Sequence, residues 1–554
     1  MRDPSSTKRG NAAREPDRRS PVRGGVSLAA AAILTGALWG PLDCHGDDAA
    51  VAAPPDEAHL AVEALTSGPA PFDGLYEDAT PDLHWPSMGF FSTGLAVVDL
   101  DGDGMRDIVI SNGNDVSPQP LVVHESLDGQ FFPWPSWYAA DFDHHGDLAV
   151  GDVNGDGWVD VAVSVMFGHD RRIQGGGVKI YMNREGTLEE RPSFRTPEVG
   201  SGYLTAGCAL GDVDGDADLD LAVAVLDEGP GPFLLDAANR RPGHARIYLN
   251  RDGAIERTPS WISENAMVAG DILLADVNQD GWMDLVVAAT RTMVFHGGVT
   301  AGDVVPLPPR PSWMSADAHD FSYSVDVGRI GAGPGLALAV SSGCLTPPCD
   351  SRFALYKPEE GAAPVWTHPA ELASKLLLAD VNADEHLDLI AGRWGASLEG
   401  APLWIFGGSP AGAGLSSSFS STPDFVSRTS TVQEGIAVAD LMQFVLCERT
   451  HALTADGPRA VITLPDRRIE ALREVRRSGR VVPPSHYAWT QDDGWISVAP
   501  PLRRGERIEV TYATSQKQDI ILANYHNYAP QVGNMIFLSR LVPACPTDAP
   551  PGAP

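Results

Sequence analysis

Four aspartates, Asp99, Asp101, Asp103 and Asp107, fall within the nine residues of "DLDGDGMRD". Such a run suits a hard divalent cation. Ca2+ takes about six to eight oxygens at roughly 2.3–2.6 Å in a flexible shell, whereas Mg2+ demands a near-octahedral one. Positions one, three, five and nine offer side chains, and position seven offers its backbone carbonyl, so Met105 is tolerated there. Glycine at position six lets the chain turn sharply. An EF-hand would end on a Glu between helices; this run ends on Asp between apolar, β-branched stretches.

The run recurs as "DVNGDGWVD" (152–160), "DVDGDADLD" (212–220), "DVNQDGWMD" (276–284) and "DVNADEHLD" (380–388). The candidate ligands are therefore Asp99, Asp101, Asp103, Met105 and Asp107; Asp152, Asn154, Asp156, Trp158 and Asp160; Asp212, Asp214, Asp216, Asp218 and Asp220; Asp276, Asn278, Asp280, Trp282 and Asp284; and Asp380, Asn382, Asp384, His386 and Asp388. Asn at position three keeps a carbonyl oxygen and relieves self-repulsion. Position six is Ala217 or Glu385 in two copies, where a left-handed backbone is strained, so 212–220 and 380–388 are the less favourable sites. Up to five Ca2+ ions are expected, which would bring the net charge of −33 to about −23.

Successive first aspartates lie 53, 60, 64 and 104 residues apart, the last gap being almost two periods. "YSVDVGRIGAGPGLALAVSSG" (323–343) fills it, with Asp326 as its remaining acid, and "EGIAVADL" (434–441) begins a seventh copy without an acidic loop. Each copy has an apolar run before the knot ("GLAVVD"), one after it ("DIVIS"), a third ("VKIYMN", "ARIYLN") and a weaker fourth carrying Pro-Ser-aromatic ("RPSFRT", "TPSWIS"). Short β-branched runs between turn residues read as strands, and four per unit is the pattern of a propeller blade.

The acidic nonapeptide resembles the calcium loop of FG-GAP/VCBS repeats, the blades of integrin α-subunit propellers and of many exported bacterial proteins. The resemblance covers about residues 71–441 and implies an all-β, seven-bladed β-propeller with calcium between the first and second strands of each intact blade. "QDIILANYHN" and "NMIFLSR" would complete blade 7, with 71–87 supplying its outer strand. The expected organisation is an export signal over 1–44, a Pro/Ala/acidic linker over 45–70, the propeller over 71–441, a β-rich inserted module over 442–517, closing strands over 518–543 and a tail over 544–554. Residues 459–517 carry ten Arg and Lys517 against seven acids, a basic island in an acidic chain.

The acidic surface disfavours nucleic acid and anionic membranes as partners. Basic residues 1–24 precede the short apolar run 25–42, the layout of an export signal. Cys44 sits where a lipoprotein is acylated, although "PLDC" lacks the usual small residues, so periplasmic, outer-membrane lipoprotein and secreted forms all stay open. No other segment is apolar enough to span a bilayer. Six cysteines suit an oxidising compartment, with Cys344–Cys349 and Cys447–Cys545 as candidate pairs and Cys208 as a core thiol.

Nucleophile, zinc and phosphate-loop motifs are absent. His144, His145, His169 and Asp170 are loop residues more readily explained as solvent-facing than as ligands. Trp137, Phe194, Trp261 and Trp313 recur at one blade position, which suits packing between blades better than sugar stacking. The expectation is a monomeric, non-catalytic binding or adhesion scaffold for a protein or glycan. Its ligand would meet loops 112–120, 167–177, 227–244 and 524–534, or the basic module. A polysaccharide-degrading enzyme is the alternative, marked by carboxylates converging on a channel mouth outside the acidic loops.

Overall fold

The computed structural model describes residues 66–67, 72, 75–76 and most of 90–545. Within that last span, residues 114–116, 128–129, 133, 168–175, 199–202, 229–240, 299–304, 332–334, 344–349, 396–399, 409–418, 442–445, 525–532 and 543–544 lie outside the description. Cys44, Cys344, Cys349, His169 and Asp170 therefore fall outside it, as does most of three of the four candidate ligand loops.

Alternating apolar residues build six four-stranded antiparallel sheets and a seventh of three strands. In blade 1, Ser92–Val98 pairs with Asp107–Asn112, then Val122–His124 and Trp137–Tyr138 follow outward. The second strands are almost wholly buried, as expected of strands covered on both faces by neighbouring blades. First strands pack in cyclic order from blade 1 to blade 7, and Gln433–Ala439 of blade 7 lies against Ser92–Val98 of blade 1. Asn534 Nδ2 donates to Ser92 Oγ at 3.0 Å across that closure. The chain is an all-β, seven-sheeted ring.

Two devices join neighbouring blades. A fourth-strand Trp meets the third-strand aromatic of the next blade edge-on: Trp137 on Tyr181 at 6.2 Å, Trp261 on Phe295 at 5.3 Å and Trp313 on Tyr356 at 5.9 Å. These aromatics are packing residues, an arrangement worth about 0.5–1.5 kcal/mol beyond burial. The acid that follows the same strand accepts from a Tyr and a cation of the next blade. Asp141 takes Tyr181 Oη at 2.6 Å and Lys179 Nζ at 2.7 Å. Glu198 likewise takes Tyr248 and Arg246, and Asp317 takes Tyr356 and Arg352.

Blade 7 is completed by Asp519–Asn524 and Met535–Phe537. From the N-terminal segment, Tyr76 forms a one-residue bridge to Ser539 and packs on Phe425 of blade 6, and Thr66–Ser67 pairs with Leu541–Val542. Apart from residues 72, 75 and 76, the outer strand expected over 71–87 lies outside the described residues.

Between the first two strands of blade 7, Cys447–Thr514 forms two sheets, of four and three strands, around one core that includes Ile462, Val475, Ile496 and Val510. Cys447 is bonded to Cys545 across 98 residues, fastening the start of this module to the end of blade 7. Cys208 is a free, buried thiol.

Candidate metal loops on one face of the ring

Each acidic run joins the first and second strands of its blade, in equivalent register: Val98↔Asp107, Gly151↔Asp160, Gly211↔Asp220, Ala275↔Asp284 and Ala379↔Asp388. The first aspartate gathers the turn. Asp99 accepts from Gly102 N at 2.8 Å and Gly104 N at 3.1 Å, and Asp152 accepts from Gly155 N and Gly157 N, both at 2.8 Å. The backbone is left-handed at two positions of every loop, not one. Position four holds Gly102, Gly155 and Gly215 but also Gln279 (φ 60°) and Ala383 (φ 59°), while position six includes Ala217 (φ 73°) and Glu385 (φ 67°).

The ninth aspartate has a structural task that spacing did not reveal. Asp107 Oδ2 accepts from Leu100 N and Oδ1 from Ser126 N, both at 2.9 Å, stapling the turn to the end of the third strand. Asp160, Asp220, Asp284 and Asp388 repeat both bonds. One lone pair per oxygen remains for a cation except at Asp284, whose Oδ2 also lies 3.2 Å from His296 Nδ1.

These bonds shape the loop, and in loops 1, 2 and 6 no Lys or Arg among the described residues pairs with the acids. Burial pushes Asp107, Asp160, Asp212 and Asp276 up to about 7, and Asp218 up to about 8. Asp214 Oδ1, Asp218 Oδ1 and Asp276 Oδ1 are buried without a hydrogen-bond partner. One oxygen each from Asp99, Asp101 and Asp103, and from Asp212, Asp214 and Asp216, lie within 4.8 Å of one another. Buried, converging carboxylate oxygens are a donor set that fits a hard cation.

Position seven does more than expose a carbonyl. The ring of Trp158 lies over loop 1, where a Cβ on Gly102 would come 3.1 Å from its Cζ3. Trp282 covers Gly215 of loop 3 in the same way, at 3.4 Å. Met105 and His386 differ there in a position that packs sideways.

A scan against family models matches the FG-GAP-like repeat at residues 99–163 and 152–223, spanning the first three acidic loops in phase. Residues 99–223 carry FG-GAP-like repeats within the seven-sheeted ring. The sequence is also similar to integrin alpha-3 of Cricetulus griseus, 32% identical over 118 residues, which is 21% of this chain and 10% of the integrin. The chain thus spans about a tenth of that relative's length. Among solved structures, a Dos1 propeller matches with a TM-score of 0.34 at 12% identity, covering 59% of this chain and 72% of the other. A likeness of that size carries no weight in the assignment, which rests on the repeats and the seven sheets.

The fifth and seventh blades differ from their sequence reading. In blade 5, Gly328 pairs with Ala337, so Arg329 and Ala337 hold the first and ninth loop positions. Asp326 lies three residues before Arg329, inside the first strand, and belongs to no loop. In blade 7, Ala439 pairs with Asp519, and Asp519 accepts from Leu441 N at 3.1 Å and Ser539 N at 2.7 Å. Asp440 and Asp519 are therefore the first and ninth positions of a seventh loop, interrupted by the inserted module.

That module sits on the loop face and reaches every blade. Arg468 Nη2 donates to Val97 O of blade 1 at 2.9 Å, and its Nη1 to Val438 O of blade 7. Arg467 Nη1 donates to Asp326 Oδ2 of blade 5 at 2.6 Å and to Leu378 O of blade 6 at 3.4 Å. Trp495, with Val461 and Ala488, joins the core of blades 2 to 4, and Thr490 lies against Gly151 of blade 2. The inner strands' ends are thereby capped, and much of the module's basic charge faces inward. Deeper on the axis, Lys375 of blade 6 pairs with Asp147 of blade 2 and, at 3.3 Å, with Asp271 of blade 4. Gly94 leaves the room for this: a Cβ there would lie 2.6 Å from Asp147 Oδ1.

His144 and His145 are buried in the first strand of blade 2, not solvent-facing. His145 Nδ1 bonds Asn112 O at 2.7 Å, and burial pushes its imidazole down to about 4. Among the described residues, no helix is long and apolar enough to cross a membrane.

Proposed function

We propose that this protein is an exported, calcium-stiffened propeller that acts as a non-catalytic binding scaffold for a protein or glycan. The observation that carries the calcium reading is the pair of buried, unpartnered oxygens of Asp214 and Asp218 within a loop that recurs in phase. Calcium bound by the acidic side chains would neutralise carboxylates that burial otherwise holds protonated, and lock each first-to-second-strand turn against its neighbours.

Two surfaces are left for a ligand once the module caps the loop face. One would be the connections after the second strands of four blades, 112–120, 167–177, 227–244 and 524–534, which lie largely outside the described residues. The other is the module's outward side, where Arg473, Arg480, Arg503, Arg504 and Arg507 are exposed and would suit an anionic glycan or acidic protein. The enzymatic alternative needs free carboxylates converging at the channel. The axial pair Asp147 and Asp271 is instead neutralised by Lys375, which favours binding over hydrolysis.

A glycan array on the secreted form, with and without calcium, tests this reading. Calcium-dependent retention without turnover supports it; depolymerisation of a retained polysaccharide would replace it with the enzymatic one.

A further inference from the structure

We propose that Arg459, from the inserted module, and Lys517, from the link that returns from it to blade 7, stand in for the divalent cation at the fourth and seventh blades. The docked protein then binds four ions, in the loops starting at Asp99, Asp152, Asp212 and Asp380. This rests on the calcium reading of the acidic loops and adds which loops are already taken.

Blade 7 shows the substitution most plainly. Asp440 and Asp519 keep the first and ninth positions, and both carboxylates are fully buried. Lys517 Nζ lies 2.9 Å from Asp519 Oδ2 and 3.7 Å from Asp440 Oδ1, and Ser515 Oγ donates to Asp440 Oδ2 at 2.7 Å. Two carboxylates supply at most about four oxygens, short of the roughly six that calcium needs. A single ammonium on a flexible stem needs fewer, and it arrives with the module.

In blade 4 the loop is intact but claimed from outside. Arg459 Nη1 lies 3.5 Å from Asp276 Oδ2, and Nη2 donates to Gln279 O at 2.9 Å. The strand that Arg459 begins is fixed on the same loop, because Ala460 N and Val461 N both donate to Gly281 O at 2.9 Å. A Cβ on Gly281 would lie 2.3 Å from Arg459 Cγ, so the stem lies flat on position six.

Arg459 is 13% exposed and held by its own backbone, so its charge cannot leave while the module is docked. Arg251 donates to Asp214 of loop 3 at 2.9 Å, but its side chain is 42% exposed and the module does not pin it there. Among the described residues, no Lys or Arg pairs with the acids of loops 1, 2 or 6. Like charges in a partly buried site repel strongly. A divalent ion at Asp276 and the docked Arg459 therefore exclude one another.

The test is the calcium content of the full chain, measured by elemental analysis after equilibrium dialysis against excess calcium. Wild type is expected to hold four ions and Arg459→Gln five, with Arg459→Lys remaining at four. Terbium gives a local readout. Arg459→Gln should raise tryptophan-sensitised luminescence, and adding Asp276→Asn should remove the increase. Should Arg459→Gln not fold, Asp276→Asn decides the matter, since it leaves the wild-type count unchanged if Arg459 holds that loop. Loss of one ion in Asp276→Asn, or equal counts in wild type and Arg459→Gln, overturns the inference. No calcium in wild type overturns the calcium reading itself.

Discussion

Replacing Lys517 by Met keeps the length of the side chain and removes its charge. Lys517 is 7% exposed, and its two partners Asp440 and Asp519 are fully buried. Burial already pushes Asp519 up, and the Lys517 ammonium is the largest influence holding it down. Without that cation, two carboxylates face each other in a site closed by the module above and the blade below. Removing one partner of a buried ion pair typically costs about 3–5 kcal/mol, because the other charge is left uncompensated. The expected loss is of that size and is concentrated in blade 7. It should shrink as pH falls, since protonating a carboxyl relieves the repulsion. Urea unfolding followed by tryptophan fluorescence measures the total, and hydrogen exchange over Asp519–Asn524 locates it. A midpoint unchanged from wild type, with unaltered exchange in that strand, would falsify the assignment of Lys517 as the resident cation.

Chelation of calcium should lower the melting temperature and speed proteolysis; an identical melt in excess chelator contradicts structural calcium. Ala217→Gly and Glu385→Gly each relieve a left-handed non-glycine residue, at φ 73° and 67°, and should stabilise by about 1 kcal/mol after the entropy cost of glycine. Thermal melts showing destabilisation would reject that strain. His145 binds its proton at about 4 when folded, against 6.5 when unfolded, so the unfolded chain takes up more protons between those values. Its contribution is complete above pH 6.5 and is lost as pH falls towards 4, by about 3 kcal/mol in total. His145→Gln should flatten that part of the stability profile, and an unchanged slope counts against the buried neutral imidazole.

The repeating blades were legible because their signal is local. Period-two apolar runs flank an acidic knot, and the knot returns at nearly even spacing. Position seven was readable only as a carbonyl donor, since nothing in one repeat shows that Trp158 and Trp282 cover the loop of the preceding blade. The left-handed position four escaped notice because Gln279 and Ala383 replace the glycine that marks it elsewhere. Asp326 looked like a loop remnant because strand and loop acids are indistinguishable without register. The seventh loop was hidden for the opposite reason, its two aspartates being separated by the whole module. A net basic charge over 459–517 was visible in composition, but its direction was not. Arg467 and Arg468 find their partners 30 to 371 residues away, through contacts that only the closed ring brings together.

Crystals of the full chain grown in calcium and soaked in terbium offer the most direct measurement, through anomalous scattering. Peaks should appear inside the loops that begin at Asp99, Asp152, Asp212 and Asp380, ringed by their position-one, -three and -five side chains, with no peak between Asp440 and Asp519. Empty loops in a metal-saturated crystal, with the turns unchanged, would contradict the view that these carboxylates are gathered to hold a cation.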